Sequence, residues 1–165
     1  MPNMSIRSKE YWGFYGHSTI NHSYSHKTIR GDKVVIDNAT GLMWHQNGSD
    51  GSDEMMFWHE AKEWVRSLND RGYAGCSDWR FPTVQEAASL LESSKQTGQY
   101  AENDQYVLVS NQYIDPVFSR KQWGTWTGDS TNSLETAWCV NFSNGQVHWD
   151  TIHRFYCVRP VRSVK

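Results

Sequence analysis

Three side chains near the C-terminus have the types and spacing that chemistry needs: His148, Asp150 and His153. Imidazole and carboxylate groups serve enzymes as general acids, general bases and zinc ligands. On a strand His148 and Asp150 share a face, because side chains alternate with a period of two. A metal-assisted acid–base site is one hypothesis for this segment. The alternative, which we favour because spacing alone shows neither a pocket nor a shifted pKa, is a set of polar contact residues on a binding surface.

Other catalytic arrangements do not stand out. The sequence shows no Ser-His-Asp set, no Gly-rich phosphate loop and no helix-borne His-Glu pair. The three cysteines, Cys76, Cys139 and Cys157, include no Cys-x-x-Cys pair, so a thiolate zinc site is not expected. Buried thiols are the favoured interpretation, although a Cys139–Cys157 bridge is conceivable. We therefore expect a protein that is not an enzyme and that holds no metal and no cofactor.

Composition narrows the class of protein further. A chain of 165 residues with 38% hydrophobic and 21% charged residues is typical of a globular domain, and a net charge of −2 argues against nucleic-acid binding. No apolar run is long enough for membrane insertion, and the N-terminus does not resemble a signal peptide. A cell-surface, extracellular or virion-associated location is nevertheless favoured. Nine tryptophans indicate a core of large rings or a surface with many rings.

A hairpin near the C-terminus is the clearest predicted element. Apolar side chains alternate before the turn Asn144-Gly145 and again after it, and Asn-Gly favours a two-residue type I′ turn. Such a turn pairs Asn141 with His148 and Val140 with Trp149. The inward side chains would be Trp138, Val140, Phe142, Val147 and Trp149, and the outward ones Asn141, Ser143, Gln146 and His148.

The rest of the chain predicts an α+β fold. Strands are expected at 34–36 and 42–44, a first helix with Trp58, Ala61, Val65 and Leu68 on one face, and a second helix after a Thr83–Glu86 capping box. Residues 93–105 read as a long polar loop, and residues 106–109 as a short strand. Residues 1–30 are predicted to be an N-terminal extension that packs on the domain or mediates contacts. Such contacts include those of a homo-oligomer. Residues 31–165 would form the ligand-binding domain.

Six motifs, in order, resemble the C-terminal domain family of Lcl-type bacterial adhesins. They are DNATGLMW at 37–44, WHEA at 58–61, DWRFPT at 78–83, WT at 126–127, AWCVNFSNG at 137–145 and VRPVR at 158–162. The resemblance implies a C-type-lectin-like fold, with two helices flanking a small twisted antiparallel sheet and long loops that carry binding. It also implies a fixed scaffold, comprising Trp44, Trp58, Trp79, Trp126, Trp138 and Phe142.

The C-terminal segment is also similar to the variable proteins of diversity-generating retroelements. That resemblance implies a receptor- or adhesin-like domain whose exchangeable surface residues select a protein or glycan ligand. Transferred to this chain, the ligand-binding positions are Asp129, Thr131, Asn132, Asn141, Ser143, Gln146, His148, Trp149, Asp150, His153, Arg154, Phe155 and Tyr156. Of the last two, one is expected to face outward, because they are adjacent on the last predicted strand.

The chain departs from the Lcl-type pattern at Cys76 and Cys157, where family members usually carry aromatic residues. This pair of departures raises the hypothesis of a Cys76–Cys157 bridge. A second functional hypothesis is a polysaccharide-binding adhesin domain of fixed specificity, which should show a cluster of basic residues. The basic candidates near the C-terminus are dispersed in the sequence: Arg120, Lys121, Arg154, Arg159, Arg162 and Lys165.

Overall fold

The computed structural model describes residues 1–49, 55–103, 106–119 and 121–164. In this part of the chain there are eleven strands, two α-helices and one 3₁₀ turn at Tyr73–Gly75. The helices are α1 Trp58–Asp70 and α2 Val84–Ser89. The strands are β1 Met4–Glu10, β2 Gly13–Ser18, β3 Tyr24–Ile29, β4 Asp32–Asp37, β5 Leu42–His45, β6 Gln96–Asn103, β7 Tyr106–Gln112, β8 Gly124–Ser130, β9 Thr136–Asn141, β10 Gln146–Thr151 and β11 Val161–Ser163.

The strands form three antiparallel sheets. The large sheet has the order β1-β2-β10-β9-β8, the four-stranded sheet has the order β11-β5-β4-β3, and β6 pairs with β7 alone. The N-terminal hairpin β1–β2 therefore joins the C-terminal hairpin β9–β10 side by side. Residues 1–30 supply β1, β2 and β3 to the two larger sheets, and the division of the chain after residue 30 stays a prediction.

Two hydrophobic cores lie against these sheets, and both sheets contribute to each core. The first core contains Cys139 of the large sheet and Val34 of the four-stranded sheet, with the apolar face of α1. The second contains Val140 and Val35, the next residues along the same strands, with α2. Because adjacent strand residues point to opposite faces, both faces of each sheet are buried at these positions.

The predicted helices are confirmed. Ala61, Val65 and Leu68 are the buried residues of α1, as their helical spacing indicates. At the start of α2 the Glu86 N–H donates to Thr83 Oγ1 over 3.1 Å, and the Thr83 N–H donates to Glu86 Oε2 over 2.8 Å. This reciprocal pair is the predicted capping box.

The predicted fold class, α+β and C-type-lectin-like with two helices flanking a small sheet, is wrong. Strands account for 40% of the residues and helices for 15%, and the architecture is β-sandwich-like. The difference arises mainly where polar sequence forms strands. Residues 1–30 hold three strands, and the predicted loop at 93–105 contains β6, Gln96–Asn103. Backbone pairing stabilises these segments without the apolar alternation that identifies a strand in a sequence.

The predicted register of the C-terminal hairpin is also wrong. Asn141 pairs with Gln146, and His148 pairs with Cys139, so the connection spans four residues instead of two. The Asn141 side chain explains the longer loop: its Oδ1 accepts from the Ser143 N–H over 2.8 Å and from the Asn144 N–H over 3.3 Å. An asparagine that binds the backbone ahead of it begins a turn early.

The buried tryptophans of the scaffold behave as expected. Trp44, Trp79 and Trp126 are buried, and Phe142 is fully enclosed, whereas Trp58 and Trp138 are half-buried. Among the described residues, no helix is both long enough and apolar enough to cross a membrane.

Candidate functional site

The predicted ligand-binding residues lie at two opposite ends of the large sheet. Asn141, Ser143 and Gln146 surround the β9–β10 turn, at one end. Thr131, Asn132 and the residues after Asp150 lie at the other end, where β8 leads into β9 and where β10 ends. The six residues of β10 separate the two ends by roughly 20 Å. The predicted residues therefore do not form one surface.

The predicted residues around the β9–β10 turn stabilise that turn. The Asn141 side chain caps it, and the Asn144 and Gln146 side chains bond to each other over 3.3 Å. The Gln146 N–H also donates to Asn144 Oδ1 over 3.0 Å. These polar groups satisfy one another, so their first role is structural.

His148 and Tyr156, predicted to be contact residues, are buried: each exposes only 7% of its surface. His148 Nε2 lies 3.0 Å from the Tyr156 hydroxyl and 3.3 Å from Cys139 Sγ. The Tyr156 hydroxyl in turn donates to Asp150 Oδ2 over 3.3 Å. The predicted outward face of the hairpin is thus the inner face at His148, because the first core covers it.

Burial controls the protonation of this cluster, which comprises Cys139, His148, Asp150 and Tyr156. Burial raises the pKa of the Cys139 thiol, and the nearby Asp150 carboxylate raises it further. Burial lowers the pKa of His148, against the opposing effect of Asp150. Burial, with Cys139 and Asp150, raises the pKa of the Tyr156 phenol. At neutral pH the cluster therefore holds a thiol, a neutral imidazole and a phenol, and it lacks the thiolate that nucleophilic chemistry needs.

The metal hypothesis for His148, Asp150 and His153 finds no support in the geometry. His153 is exposed, whereas His148 is enclosed in the first core. In the described ranges, no group of three or more His, Cys, Asp or Glu side chains is arranged to hold a metal ion. None of the three cysteines forms a disulfide, so the Cys76–Cys157 and Cys139–Cys157 bridges are not formed.

Two further predicted contact residues have structural partners. Asp129 Oδ2 accepts from the Val84 N–H over 2.6 Å, which places a carboxylate at the first turn of α2, where it complements the helix dipole. The Thr131 hydroxyl bonds to the Thr136 hydroxyl across the β8–β9 connection. Asn132, in the same connection, is exposed.

The exposed predicted residues come together on a surface that we call the loop face, defined as residues 131–135, residues 151–155 and Phe57. The Ile152 N–H donates to the Glu135 carbonyl over 2.9 Å, which ties the two loops together. Phe155 stacks on Phe57 with ring centroids 4.3 Å apart. Phe57, which immediately precedes α1, was not predicted, because nothing in the sequence connects it with residues so far along the chain.

Large apolar side chains are unusually exposed on the loop face. Leu134 exposes 94% of its surface and Phe155 exposes 52%. His153 lies edge-on to Phe57, with ring centroids 6.2 Å apart. Arg154 approaches Asp150, with 3.7 Å between Nε and Oδ1. As predicted, one of the adjacent pair Phe155 and Tyr156 faces outward, and it is Phe155.

Trp149, predicted to face inward in the hairpin and also to be a ligand-binding position, is half-buried. Tyr11 covers one edge of it, with ring centroids 5.9 Å apart and the rings nearly perpendicular. Trp149 therefore presents only part of its indole at the surface.

A cavity of about 470 Å³, which was not predicted from the sequence, lies between the four-stranded sheet and α1. Its lining includes Lys33, His45, Trp64, Arg71 and Tyr73, which are too widely spaced to form a recognisable motif. The His45 and Tyr73 rings are stacked 4.2 Å apart, and the Arg71 guanidinium lies 5.1 Å from the centre of the Tyr73 ring. The cavity thus combines aromatic walls with basic side chains.

The His45 side chain is neutral in this cavity. Burial, with the charges of Arg159 and Arg71, lowers the pKa of His45 to about 3. The Gly48 N–H donates to His45 Nδ1 over 2.8 Å, so the ring proton resides on Nε2. Burial and the Asp32 carboxylate raise the pKa of Tyr73 to about 12.

Comparison with known proteins gives one match. The sequence model of the family described as Lcl C-terminal domain matches residues 33–162. No curated protein and no solved structure matches the chain.

Proposed function

The chain belongs to the Lcl C-terminal domain family, and we propose that it is a ligand-binding domain of receptor or adhesin type, which binds a protein or glycan and catalyses no reaction. The loop face is the binding surface in this proposal. The observation that carries it is the exposure of Leu134 and Phe155 on two loops that are bonded to each other.

The composition of the loop face supports recognition. Isolated exposed apolar residues are common on protein surfaces, but a group of them beside polar groups is typical of an interaction site. Phe57 and Phe155 offer rigid ring area, while Asn132, His153 and Arg154 offer hydrogen-bond donors of different reach. Binding surfaces that use a few rigid rings among adaptable polar groups share this composition.

The buried cluster supports binding over catalysis. Cys139 and His148 form a pair that resembles a nucleophile and its base, but both are enclosed and the thiol is protonated. A substrate would have to displace core packing to reach Sγ. The pair is better explained as a hydrogen-bonded part of the first core.

We further propose that the exposed positions are exchangeable, as in the variable proteins of diversity-generating retroelements. Asn132, His153, Arg154 and Phe155 are the strongest candidates because they are exposed and contribute little to the core. The predicted contact residues with structural roles should stay constant within such a system; they are Asp129, Asn141, Gln146, His148 and Tyr156.

Genomic sequence tests the exchangeable positions. We expect a second copy of the 3′ coding segment beside a reverse-transcriptase gene, with differences concentrated at adenines in the codons of the four exposed residues. Differences spread equally over the codons of His148, Tyr156 and the core would contradict the proposal.

Binding itself is tested with arrays of purified proteins and glycans. The wild-type chain is compared with a Leu134→Ser/Phe155→Ser variant and with a matched control, Ile6→Ser/Val164→Ser, whose sites expose 37% and 40% of their surface away from the loop face. We expect the first variant to lose the array signals and the control to keep them. Signals retained by both variants would refute the loop face as the binding surface.

The cavity between the four-stranded sheet and α1 favours a second candidate function, recognition of an acidic polysaccharide with fixed specificity. Lys33 and Arg71 bring two positive charges to a lining that holds one carboxylate, Asp32, and the half-buried Trp64 provides a flat wall against which a sugar ring can pack. Binding of a polyuronate at low salt and its loss at high salt would support this function. A Lys33→Ala/Arg71→Ala variant should then lose the binding, whereas Leu134→Ser/Phe155→Ser should retain it.

A further inference from the structure

We infer that the N-terminal hairpin β1–β2, which lies outside the segment matched by the family, extends the binding surface through Tyr11. The partner bound there is a protein with an apolar contact surface and an uncharged or basic rim. The inference rests on the proposed function and identifies the class of ligand.

Strand pairing places the β1–β2 turn at the same end of the large sheet as the loop face. β2 pairs with β10, with Gly13 opposite His148. The pairing continues by one residue, since the Trp149 N–H donates to the Trp12 carbonyl over 3.0 Å. Tyr11 therefore lies beside the end of β10, where the chain enters residues 151–155.

The exposure of Tyr11 matches that of the loop face. Among the residues whose side chains the structure describes, which leave out 98–110, the three most exposed large apolar side chains are Leu134, Tyr11 and Phe155, with 94%, 92% and 52% of their surfaces exposed. Each belongs to a different connection at this one end of the large sheet. Random placement would scatter such side chains over the molecule, so their concentration at one end indicates a contact surface.

The turn that carries Tyr11 is held firmly. Trp12 packs edge-on against His148, with ring centroids 6.1 Å apart, and against Tyr15, with centroids 5.7 Å apart. At Gly13, with φ +153°, a Cβ atom would lie 2.0 Å from the Val147 carbonyl oxygen. The glycine thus allows the hairpin backbone to lie directly on β10. A side chain presented from a rigid turn loses less conformational entropy when it binds.

The charges at this end indicate the chemistry of the partner. The strand ends and connections at this end carry three carboxylates, Glu10, Glu135 and Asp150, and two cations, Lys9 beside Glu10 and Arg154, which approaches Asp150. The excess of negative charge repels nucleic acids and sulfated polymers. Leu134 has no ring for stacking on a sugar, but it suits an apolar depression on a protein. These features together favour a neutral or basic protein partner.

The test uses the full chain displayed on yeast, with purified cytochrome c, a basic protein, as the probe. One library randomises Asn132, Leu134, His153, Arg154 and Phe155 and keeps Tyr11. A control library randomises the same number of exposed positions on α1: His59, Glu63, Arg66, Ser67 and Asp70. In each selected binder, Tyr11→Ala is then compared with Ile6→Ala, a change at another exposed apolar residue of the same hairpin.

We expect binders from the first library and few from the control library. Tyr11→Ala should weaken most independent binders by about tenfold or more, as removal of an anchoring ring does, while Ile6→Ala should change affinity less than about twofold. Because Tyr11 is exposed, the thermal midpoint of the Tyr11→Ala chain should equal that of the parent.

The failures of the two proposals are distinguishable. Binders from the first library that tolerate Tyr11→Ala would overturn the inference and leave the loop face intact. Equal yields from the two libraries, or no binders from either, would count against the proposed function itself. Light scattering tests a second copy of the chain as the partner. A dimer of the wild-type chain that is lost in Tyr11→Ala would show that the surface binds another copy, and it would contradict the inference that the partner is a different protein.

Discussion

The Tyr156 hydroxyl lies 3.0 Å from His148 Nε2, while the side chain of the preceding residue, Phe155, extends into solvent and stacks on Phe57. Two adjacent aromatic residues thus serve different purposes. Tyr156 connects β10 to the first core through a hydrogen-bonded phenol, and Phe155 belongs to the loop face. The boundary between scaffold and candidate binding surface falls on one peptide bond.

This boundary predicts separable effects for the two residues. Tyr156→Phe removes the hydroxyl and leaves His148 Nε2 and Asp150 without that partner, so it should lower the free energy of unfolding by about 1–3 kcal/mol in urea denaturation. Phe155→Ser should change it by less than about 1 kcal/mol, yet weaken ligand binding. A Phe155→Ser chain as unstable as Tyr156→Phe would contradict the assignment.

The neutral state of His45 predicts a pH dependence of stability. Burial lowers the pKa of His45 to about 3 in the folded chain, whereas an unfolded histidine titrates near 6.5. Below pH 6.5 the unfolded state binds the proton that the folded state excludes, so the contribution of His45 to stability falls as the pH falls, by roughly 1.4 kcal/mol for each pH unit until about pH 3.

Urea denaturation at several pH values between 7 and 4 measures this slope. His45→Asn keeps an acceptor for the Gly48 N–H but cannot titrate, so its stability should depend less steeply on pH than that of the wild type. Equal slopes for the two chains would show that His45 does not titrate as its burial requires.

The close contact of Gly13 with β10 predicts that a larger side chain at this position weakens the pairing of the N-terminal hairpin with the large sheet. In Gly13→Ala the new Cβ would meet the Val147 carbonyl, so β2 must move away from β10. We expect a loss of stability of about 2 kcal/mol or more and faster hydrogen exchange of the β1 and β2 amides. Gly31→Ala is the control, because its φ of +87° is also positive but no atom lies within 4 Å of the new Cβ. Equal effects of the two changes would mean that backbone strain, and not the contact with β10, decides the outcome.

The cysteines predict a stepwise reaction with a thiol reagent such as an aromatic disulfide. Cys76 is partly exposed, whereas Cys139 and Cys157 are buried, and burial raises the pKa of the Cys139 thiol. One thiol should react in the native chain and all three after denaturation without a reductant. Fewer than three thiols in the denatured, unreduced chain would reveal a disulfide and contradict the structure.

Local signals in the sequence predicted the helices well. Both signals depend only on neighbouring residues: the helical spacing of Ala61, Val65 and Leu68, and the capping pair Thr83 and Glu86. They can therefore be recognised without knowledge of tertiary contacts. The strand β1, MSIRSKE, has no apolar alternation, because its burial is slight and its pairing is through the backbone. β1 pairs with β2, and β2 pairs in turn with β10, far along the chain, so no local pattern indicates the sheet to which β1 belongs.

The candidate site was predictable only in part. The sequence indicated that one of Phe155 and Tyr156 faces outward, but it did not indicate that His148 is buried, because the first core covers a face of the hairpin that was predicted to be exposed. Tyr11 and Phe57 gain their significance from tertiary contacts with Trp149 and Phe155. A single sequence carries no sign of such contacts between distant segments.

The pairing of β2 with β10 has a consequence for the order of assembly. As the chain leaves the ribosome, the N-terminal hairpin emerges before its neighbour in the sheet, β10, which is synthesised only after residue 145. Until then β2 has an open edge that can pair with other strands, and such edges promote aggregation. An isolated two-stranded hairpin is also only marginally stable in water. The large sheet is thus completed only after β10 is made, so mistakes at the C-terminal hairpin leave the N-terminal hairpin without its partner.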